Sequence, residues 1–590
     1  MMWLVVAVLL LAACRKPAPP AEQARLGTIR RMVEPGMMVT PPADPRLAWG
    51  SYETLADVAH PVLSSAQQDA PFTSGAPQIV DRPPAEPVPP LVSRTLETTP
   101  FTVPPDALLR LSIGIEEPAW SIDSAPVYFR VIVVEEDGRT QDLFRRVLDP
   151  TRRATDRRWF DSDVDLSDIG GQKVRLRFLS EPLDATDKRP SLPLWGDPRV
   201  LAPAARGATR PSIVLLSLDG LRAKSMSTYG HALETSPNIG ALAARGALFE
   251  RAYTTSARTL PALTSMLTGL HPATHAVLGS SDVLADAHLP LAEILRRAGY
   301  ATAAFTEDVR RDSTHRLRRG FSTYFASAPD AAGDVAGIFG RALEWAGRNA
   351  DESFFVFAQT AALQQPHDPP AAYRALFTEP EGPRLGDQQR AYEQDVRYAD
   401  DVLQRFLDGL RKVVPERELL LIVTAAHGEE FLEHGMTGHE QLFDEVMHVP
   451  LAMAWAGRIP AGLRVAIPVS LVDVVPTILA FAGARAPTDL EGTSLAPLLA
   501  GKPAALGRDV VFGELPAIPG VSERRFVAHA SDEKCVLTAG GNGDVCYDLA
   551  HDPDERQPRG AQDTAAFTRV HGAGDAYRTR ALGHAASTPP

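Results

Sequence analysis

The run Ser212-Ile213-Val214-Leu215-Leu216-Ser217-Leu218 most restricts what this chain can become. It is almost wholly apolar and ends in Asp219-Gly220. A strand apolar on both faces must be covered on both faces, and helices flanking a parallel sheet provide that cover. The pattern then repeats. Ser236-Pro237 starts a helix, with Ser as cap and Pro in the first turn, and Gly246 follows its end. Leu289–Ala298 reads as an amphipathic helix, Tyr300–Phe305 as the next strand and Glu418–Thr424 as a further buried strand. This alternation predicts an α/β domain over 210–505, doubly wound around a mostly parallel sheet.

The flanking regions read differently. Over 101–204 short alternating runs, such as Tyr128–Val134 and Val174-Arg175-Leu176-Arg177-Phe178, are separated by Gly-containing turns. They predict an all-β sandwich. Residues 506–565 return to strands and predict a small C-terminal α+β subdomain, with 566–590 as a tail. Within that subdomain Cys535-Val536-Leu537 and Val545-Cys546-Tyr547 flank a Gly-rich segment. They read as a hairpin turning at Gly540-Gly541, which sets Cys535 opposite Cys546. A disulfide between them is expected.

The N-terminus points outside the cytoplasm. Trp3–Ala13 is one apolar run, much shorter than the roughly 20 residues of a bilayer-spanning helix. It reads as the core of a secretion signal over 1–14. The ending Leu11-Ala12-Ala13-Cys14 resembles a bacterial lipobox, which implies lipidation at Cys14 and anchorage in the cell envelope, periplasmic or at the outer membrane. An exported compartment is oxidising, consistent with the expected disulfide. Many of the 51 prolines fall in the next stretch, and 15–100 reads as a Pro-rich tether. The net charge of −13 excludes general nucleic-acid binding, whose affinity comes mostly from a basic surface. One local exception is the arginine cluster at 145, 146, 152, 153, 157 and 158, read as a solvated surface or a contact for a sulfated glycan.

Ligands of a parallel sheet gather beyond the carboxyl ends of its strands. Two such ends carry polar residues: Asp219 after the first strand, and His427 in Thr424-Ala425-Ala426-His427-Gly428-Glu429-Glu430 after a later one. They form a candidate metal pair. Thr259-Leu260-Pro261 opens a helix that closes at Thr268-Gly269. A hydroxyl there sits among unpaired backbone N–H groups at the positive end of the helix dipole, a setting that favours an anion or an attacking alkoxide. The residues alone leave a plain N-cap as the alternative.

Several ordered segments resemble the sulfatase family of the alkaline phosphatase superfamily. They are Ile213–Gly220, Ser236-Pro237-Asn238 through Thr254, Leu267-Thr268-Gly269-Leu270-His271-Pro272, His427-Gly428-Glu429, His448-Val449-Pro450-Leu451 and Tyr547-Asp548-Leu549. The 101–204 region resembles jelly-roll modules that precede some bacterial sulfatase domains, on Arg158-Trp159 and Trp195-Gly196-Asp197-Pro198. The resemblance implies hydrolysis of sulfate esters, on a sulfated or phosphorylated small molecule or glycan. It implies a cysteine or serine nucleophile oxidised to formylglycine, and a divalent cation, usually calcium, held by several carboxylates. Asp219 and His427 match metal positions, and His439 matches a sulfate-contacting one.

The departures fall on the chemistry. Gly220 and Ala426 stand where two carboxylates are expected, and Leu263 where an arginine is expected. Thr259 holds the nucleophile position, and no formylglycine can form there, because oxidising a secondary alcohol gives a ketone. Calcium favours about six to eight oxygen ligands, so the metal site is incomplete. Superfamily relatives with an unmodified Thr nucleophile use zinc, with His434, His439, His367, Glu307 and Asp308 as candidate extra ligands here. The sequence therefore leaves two readings open: a hydrolase with Thr259 and His439 as catalytic residues, and a catalytically inactive sulfatase-fold lipoprotein that binds an anionic ligand or a partner.

Overall fold

The computed structural model describes residues 94–587, apart from 99, 116, 121, 158–159, 202–209, 280, 308–316, 328–332, 378–385, 502–505 and 518–521. It also describes the short strands Met38–Val39, Gly50–Ser51 and Pro61–Ser64. The signal segment, Cys14 and most of the tether lie outside the described residues.

The central sheet has eight strands. They are β1 (Ser212–Leu218), β2 (Ala247–Phe249), β3 (Ala301–Glu307), β4 (Thr323–Ser327), β5 (Phe354–Thr360), β6 (Leu419–Thr424), β7 (Leu451–Ala454) and β8 (Leu463–Val465). Their spatial order is β4-β3-β5-β1-β6-β7-β2-β8. Neighbours from β4 to β6 are parallel, and β7 alone runs antiparallel to both its neighbours. Every residue of β1, β3, β5 and β6 is buried, in keeping with their mostly apolar sequences. Helix α1 (Pro237–Ala244) starts where Ser236-Pro237 predicts. Its first N–H groups are held from outside, however. Asp400 accepts from Asn238 and Ile239, both at 2.9 Å. Asp400 belongs to α3 (Asp387–Val413), the long amphipathic helix that lies against the sheet, and α2 is Thr259–Thr268.

The β-sandwich is confirmed by two antiparallel sheets sharing one core. Trp195 lies edge-on to Phe129 and Phe178, with centroids 5.2 and 5.3 Å away, and its indole N–H donates to Ser180 Oγ at 2.8 Å. Two of the early segments read as tether are corrected. Pro61–Ser64 pairs with 194–196 and Met38–Val39 with 200–201, so β-prone stretches inside 15–100 extend the sandwich. The arginine cluster is largely occupied by the fold itself. Arg146 stacks over Phe160 at 4.0 Å, Arg153 pairs with Asp156 and Arg157 donates to the Pro150 carbonyl. Arg110 and Arg199 tie the sandwich to the α/β domain through Glu352, and Arg110 also binds Asp351.

The C-terminal sheet orders Val511–Leu515, Arg525–His529, Glu533–Thr538 and Val545–Asp548 consecutively and antiparallel. Cys535 faces Cys546 in the expected register, and the two are disulfide-bonded. The predicted tail is corrected: α4 (Ala565–Ser587) is a helix. Phe567, Val570, Tyr577 and Ala581 share one buried face of it, spaced for a helix packed on a sheet. Gly574 sits where it crosses the sheet, and a Cβ there would lie 2.8 Å from Leu537. Closing a loop of this size by a disulfide contributes about 3 kcal/mol. Cys535→Ser with Cys546→Ser is therefore expected to destabilise the subdomain by about that much in urea unfolding. Unreduced, unfolded protein should show no free thiol at either position by alkylation and mass spectrometry.

Candidate active site

The strand ends place Asp219 and His427 side by side. Gly220 N–H donates to the His427 carbonyl at 3.0 Å, and Asp219 N–H to the Thr360 carbonyl at 2.9 Å. The Asp219 carboxylate is fully buried. Its Oδ1 accepts from Ser217 Oγ at 2.5 Å and from Ala426 N–H at 3.1 Å. Its Oδ2 accepts from Gln359 Nε2 at 2.8 Å. Gln359 is the one amide in β5, and the sequence reading passed over it.

His427 is fully buried and its tautomer follows from its neighbours. Nδ1 lies 2.8 Å from the Gly428 carbonyl oxygen, which can only accept, so Nδ1 carries the proton. In the neutral ring Nε2 is then an acceptor. The Thr259 hydroxyl lies 2.9 Å from it, and Gln364 Nε2 3.1 Å from it. Gln364 is also 3.3 Å from Thr259 Oγ1. Thr259 is the first residue of α2, and the cap position is Arg258 in extended conformation. The N-cap alternative is thus set aside: the hydroxyl is directed to His427. Arg258 itself is held in a two-point pair by Glu440, at 2.8 and 2.6 Å.

His439 joins the group, its ring centroid 4.1 Å from that of His427. Burial pushes His439 down to about 3, with His427 and Arg258 adding repulsion to a positive charge. Its folded value lies below the unfolded one, so it costs nothing above about pH 6.5. As pH falls from there towards about 3, the unfolded chain takes a proton that the folded ring refuses, and stability is lost. The ring resonances of His439 are expected to stay those of neutral imidazole down to about pH 4 in an NMR titration, and a transition near 6.5 would contradict this.

The residues do not fit a divalent metal. Three protein donors, Ser217, Ala426 and Gln359, bond to both oxygens of Asp219. The acceptor lone pair of His427 Nε2 faces the Thr259 hydroxyl and the Gln364 amide N–H. Gly220 has φ +95°, and a Cβ there would lie 2.3 Å from the Leu363 carbonyl oxygen, so the backbone is closed against a second carboxylate. Among the described residues no three His, Cys, Asp or Glu side chains gather into a metal-holding group. Of the candidate extra ligands, His439 lies beside His427, and the others that are described are engaged in contacts of their own. His367 is 3.8 Å from Asp395 and packs against Tyr392 and Phe431. Glu307 accepts from Ala361 N–H at 2.7 Å, and burial raises it to about 7. His434 stacks on Phe443 with centroids 3.5 Å apart, and Asp308 lies outside the described residues.

The arrangement joins a hydroxyl at a helix N-terminus to a neutral imidazole whose other nitrogen is fixed. Such a pair can transfer the hydroxyl proton and use the oxygen as a nucleophile. Comparison with known proteins agrees with the fold. Residues 211–484 match the sulfatase family model, and residues 432–567 match the model of the N-sulphoglucosamine sulphohydrolase C-terminal region. Human N-acetylgalactosamine-6-sulfatase is 25% identical over 350 residues, covering 50% of this chain and 67% of the relative. Choline-sulfatase of Rhizobium meliloti is 26% identical over 372 residues, covering 50% and 72%. A phosphonate monoester hydrolase of Agrobacterium radiobacter superposes with a TM-score of 0.54 at 23% identity, over 64% of this chain and 96% of that one. Through residues 211–567, on this sheet and with these segments in this order, the chain belongs to the sulfatase family of the alkaline phosphatase superfamily.

Proposed function

We propose that the chain is a hydrolase of sulfate or phosphate esters that works without a metal, with Thr259 as nucleophile and His427 as its base. The 2.9 Å contact between Thr259 Oγ1 and His427 Nε2, the ring nitrogen that the Nδ1–Gly428 bond makes the acceptor, carries this reading. The Thr259 proton passes to His427 Nε2 as the oxygen attacks sulfur or phosphorus. The ester bond breaks, and the leaving alcohol oxygen takes the proton from His427. Water then attacks the Thr259 ester, its proton passes to His427, and the released Thr259 oxygen takes that proton back. Negative charge on the transferred group faces the N-terminus of α2, where backbone N–H groups favour it. Thr259 is only 4% exposed, so an ester reaches it by displacing the half-buried Gln364 amide.

The names of relatives support sulfated glycans and choline sulfate as substrate classes to assay first. We place the enzyme outside the cytoplasm, tethered through lipidated Cys14, on the strength of the N-terminal pattern alone. The buried, protein-satisfied Asp219 favours a second reading, a fold kept for binding an anion. An assay with aryl sulfate, choline sulfate and a phosphodiester, each with and without chelator, separates the two. Turnover insensitive to chelator is expected. Turnover that appears only on adding calcium or zinc defeats the metal-free mechanism, and none under any condition leaves the binding reading.

A further inference from the structure

A cavity of about 520 Å³ opens at the amino end of β6, the end of the sheet opposite Thr259. Leu419 and Leu421 of β6 belong to it, whereas His427 follows the other end of that strand. At about 3.3 Å per residue the strand separates the two places by about 20 Å. Leu242 of α1, Leu419, Leu421, Ala454, Ile459 and Pro460 form an apolar floor. Arg245, Arg411 and Arg458 stand around it with one carboxylate, Glu416. The volume lies within the range of small-molecule sites, and the mix of apolar wall and few charged groups is what such sites show.

The charges decide the ligand. Arg411 Nε is 2.7 Å and Arg245 Nη1 is 3.2 Å from the same oxygen of Glu416, and Asp408 pairs with Arg411 from outside the cavity. Two carboxylates therefore serve two of the three guanidiniums. Arg458 has no ion-pair partner among the described residues. Its guanidinium is stationed over the Trp455 ring at 5.6 Å, beside the cavity mouth. One positive charge is left uncompensated next to an apolar hollow.

We propose that this cavity binds an amphipathic monoanion, an apolar chain seated on Leu242, Leu419 and Leu421 with its carboxylate or sulfate head paired to Arg458. The proposal is independent of the chemistry at Thr259. The probe is 11-(dansylamino)undecanoic acid, followed by dansyl fluorescence on the full-length protein, with its methyl ester as the uncharged control. Saturable one-to-one binding of the acid is expected, with the ester at least about tenfold weaker, the scale of one well-placed ion pair. Arg458→Glu should weaken the acid by at least about tenfold and leave the ester unchanged. Ala456→Trp, a change at an exposed mouth residue, should block both, with the thermal midpoint as the check on folding. Equal binding of acid and ester, or acid binding unmoved by Arg458→Glu, overturns the proposal. Binding that survives in folded Ala456→Trp places the probe elsewhere and overturns it too.

Discussion

Replacing Thr259 by alanine is expected to lower ester hydrolysis by on the order of 10³-fold or more, to the background of the buffer. The change removes one hydroxyl and one methyl group and leaves His427 with its Gly428 bond and its Gln364 neighbour. Thermal unfolding should therefore move little, which separates a lost nucleophile from a lost fold. Thr259→Ser keeps the oxygen and should retain activity within about tenfold. His427→Gln keeps a polar group near Thr259 but no group that can take up a proton, and a loss of roughly 10² to 10⁴ is expected. The informative result is the pattern. If Thr259→Ala and Thr259→Ser are equally active, the hydroxyl is structural and the mechanism fails. If Thr259→Ala is dead while His427→Gln is not, the proton leaves by another route.

Much of this site was readable from the chain, because the sheet fixes where strand ends go. A short, nearly continuous apolar run in a strand-helix alternation reads as a doubly buried strand, so Asp219 and His427 were expected at the same edge of the sheet. The hairpin register was equally constrained, since one turn centre decides every pairing and so the facing of Cys535 and Cys546. What stayed hidden depends on contacts between distant segments. Gln359 and Gln364 reach Asp219 and Thr259 only after β5 and the loop behind it are laid beside β1. Gly220 looked like a missing ligand, and the fold gives it another cause: the Leu363 carbonyl occupies the space a side chain would need. Helix α4 was missed because Gly572, Gly574 and Gly583 weaken its helical signal. Gly574 is there because the helix must approach Leu537 and Ala528 closely.

Lys534→Ala is expected to cost about 3 to 5 kcal/mol of stability in the C-terminal subdomain. Lys534 is fully buried, with Nζ 2.8 Å from Asp444 and 2.6 Å from Glu555. Burial works against its charge, and the two carboxylates outweigh that effect and hold it above the ordinary ammonium value. The same burial raises Glu555, while Lys534 keeps Asp444 below its usual range against it. Asp444 lies in the segment that follows His439, and Lys534 in the C-terminal sheet, so one ammonium ties the subdomain to the α/β domain. Glu555 adds a second tie by accepting from Asp444 N–H at 2.6 Å. Removing the ammonium leaves a buried carboxylate unpaired beside a second one, and that desolvated charge sets the cost. Two outcomes check the cause. Lys534→Met with Asp444→Asn and Glu555→Gln removes all three charges together and should recover a large part of the loss. In Lys534→Ala the penalty should grow as pH rises from about 5 to 8, because deprotonating either carboxylate without its partner costs more. A pH-independent penalty would mean that Lys534 acts through packing of its stem against Phe443 rather than through its charge.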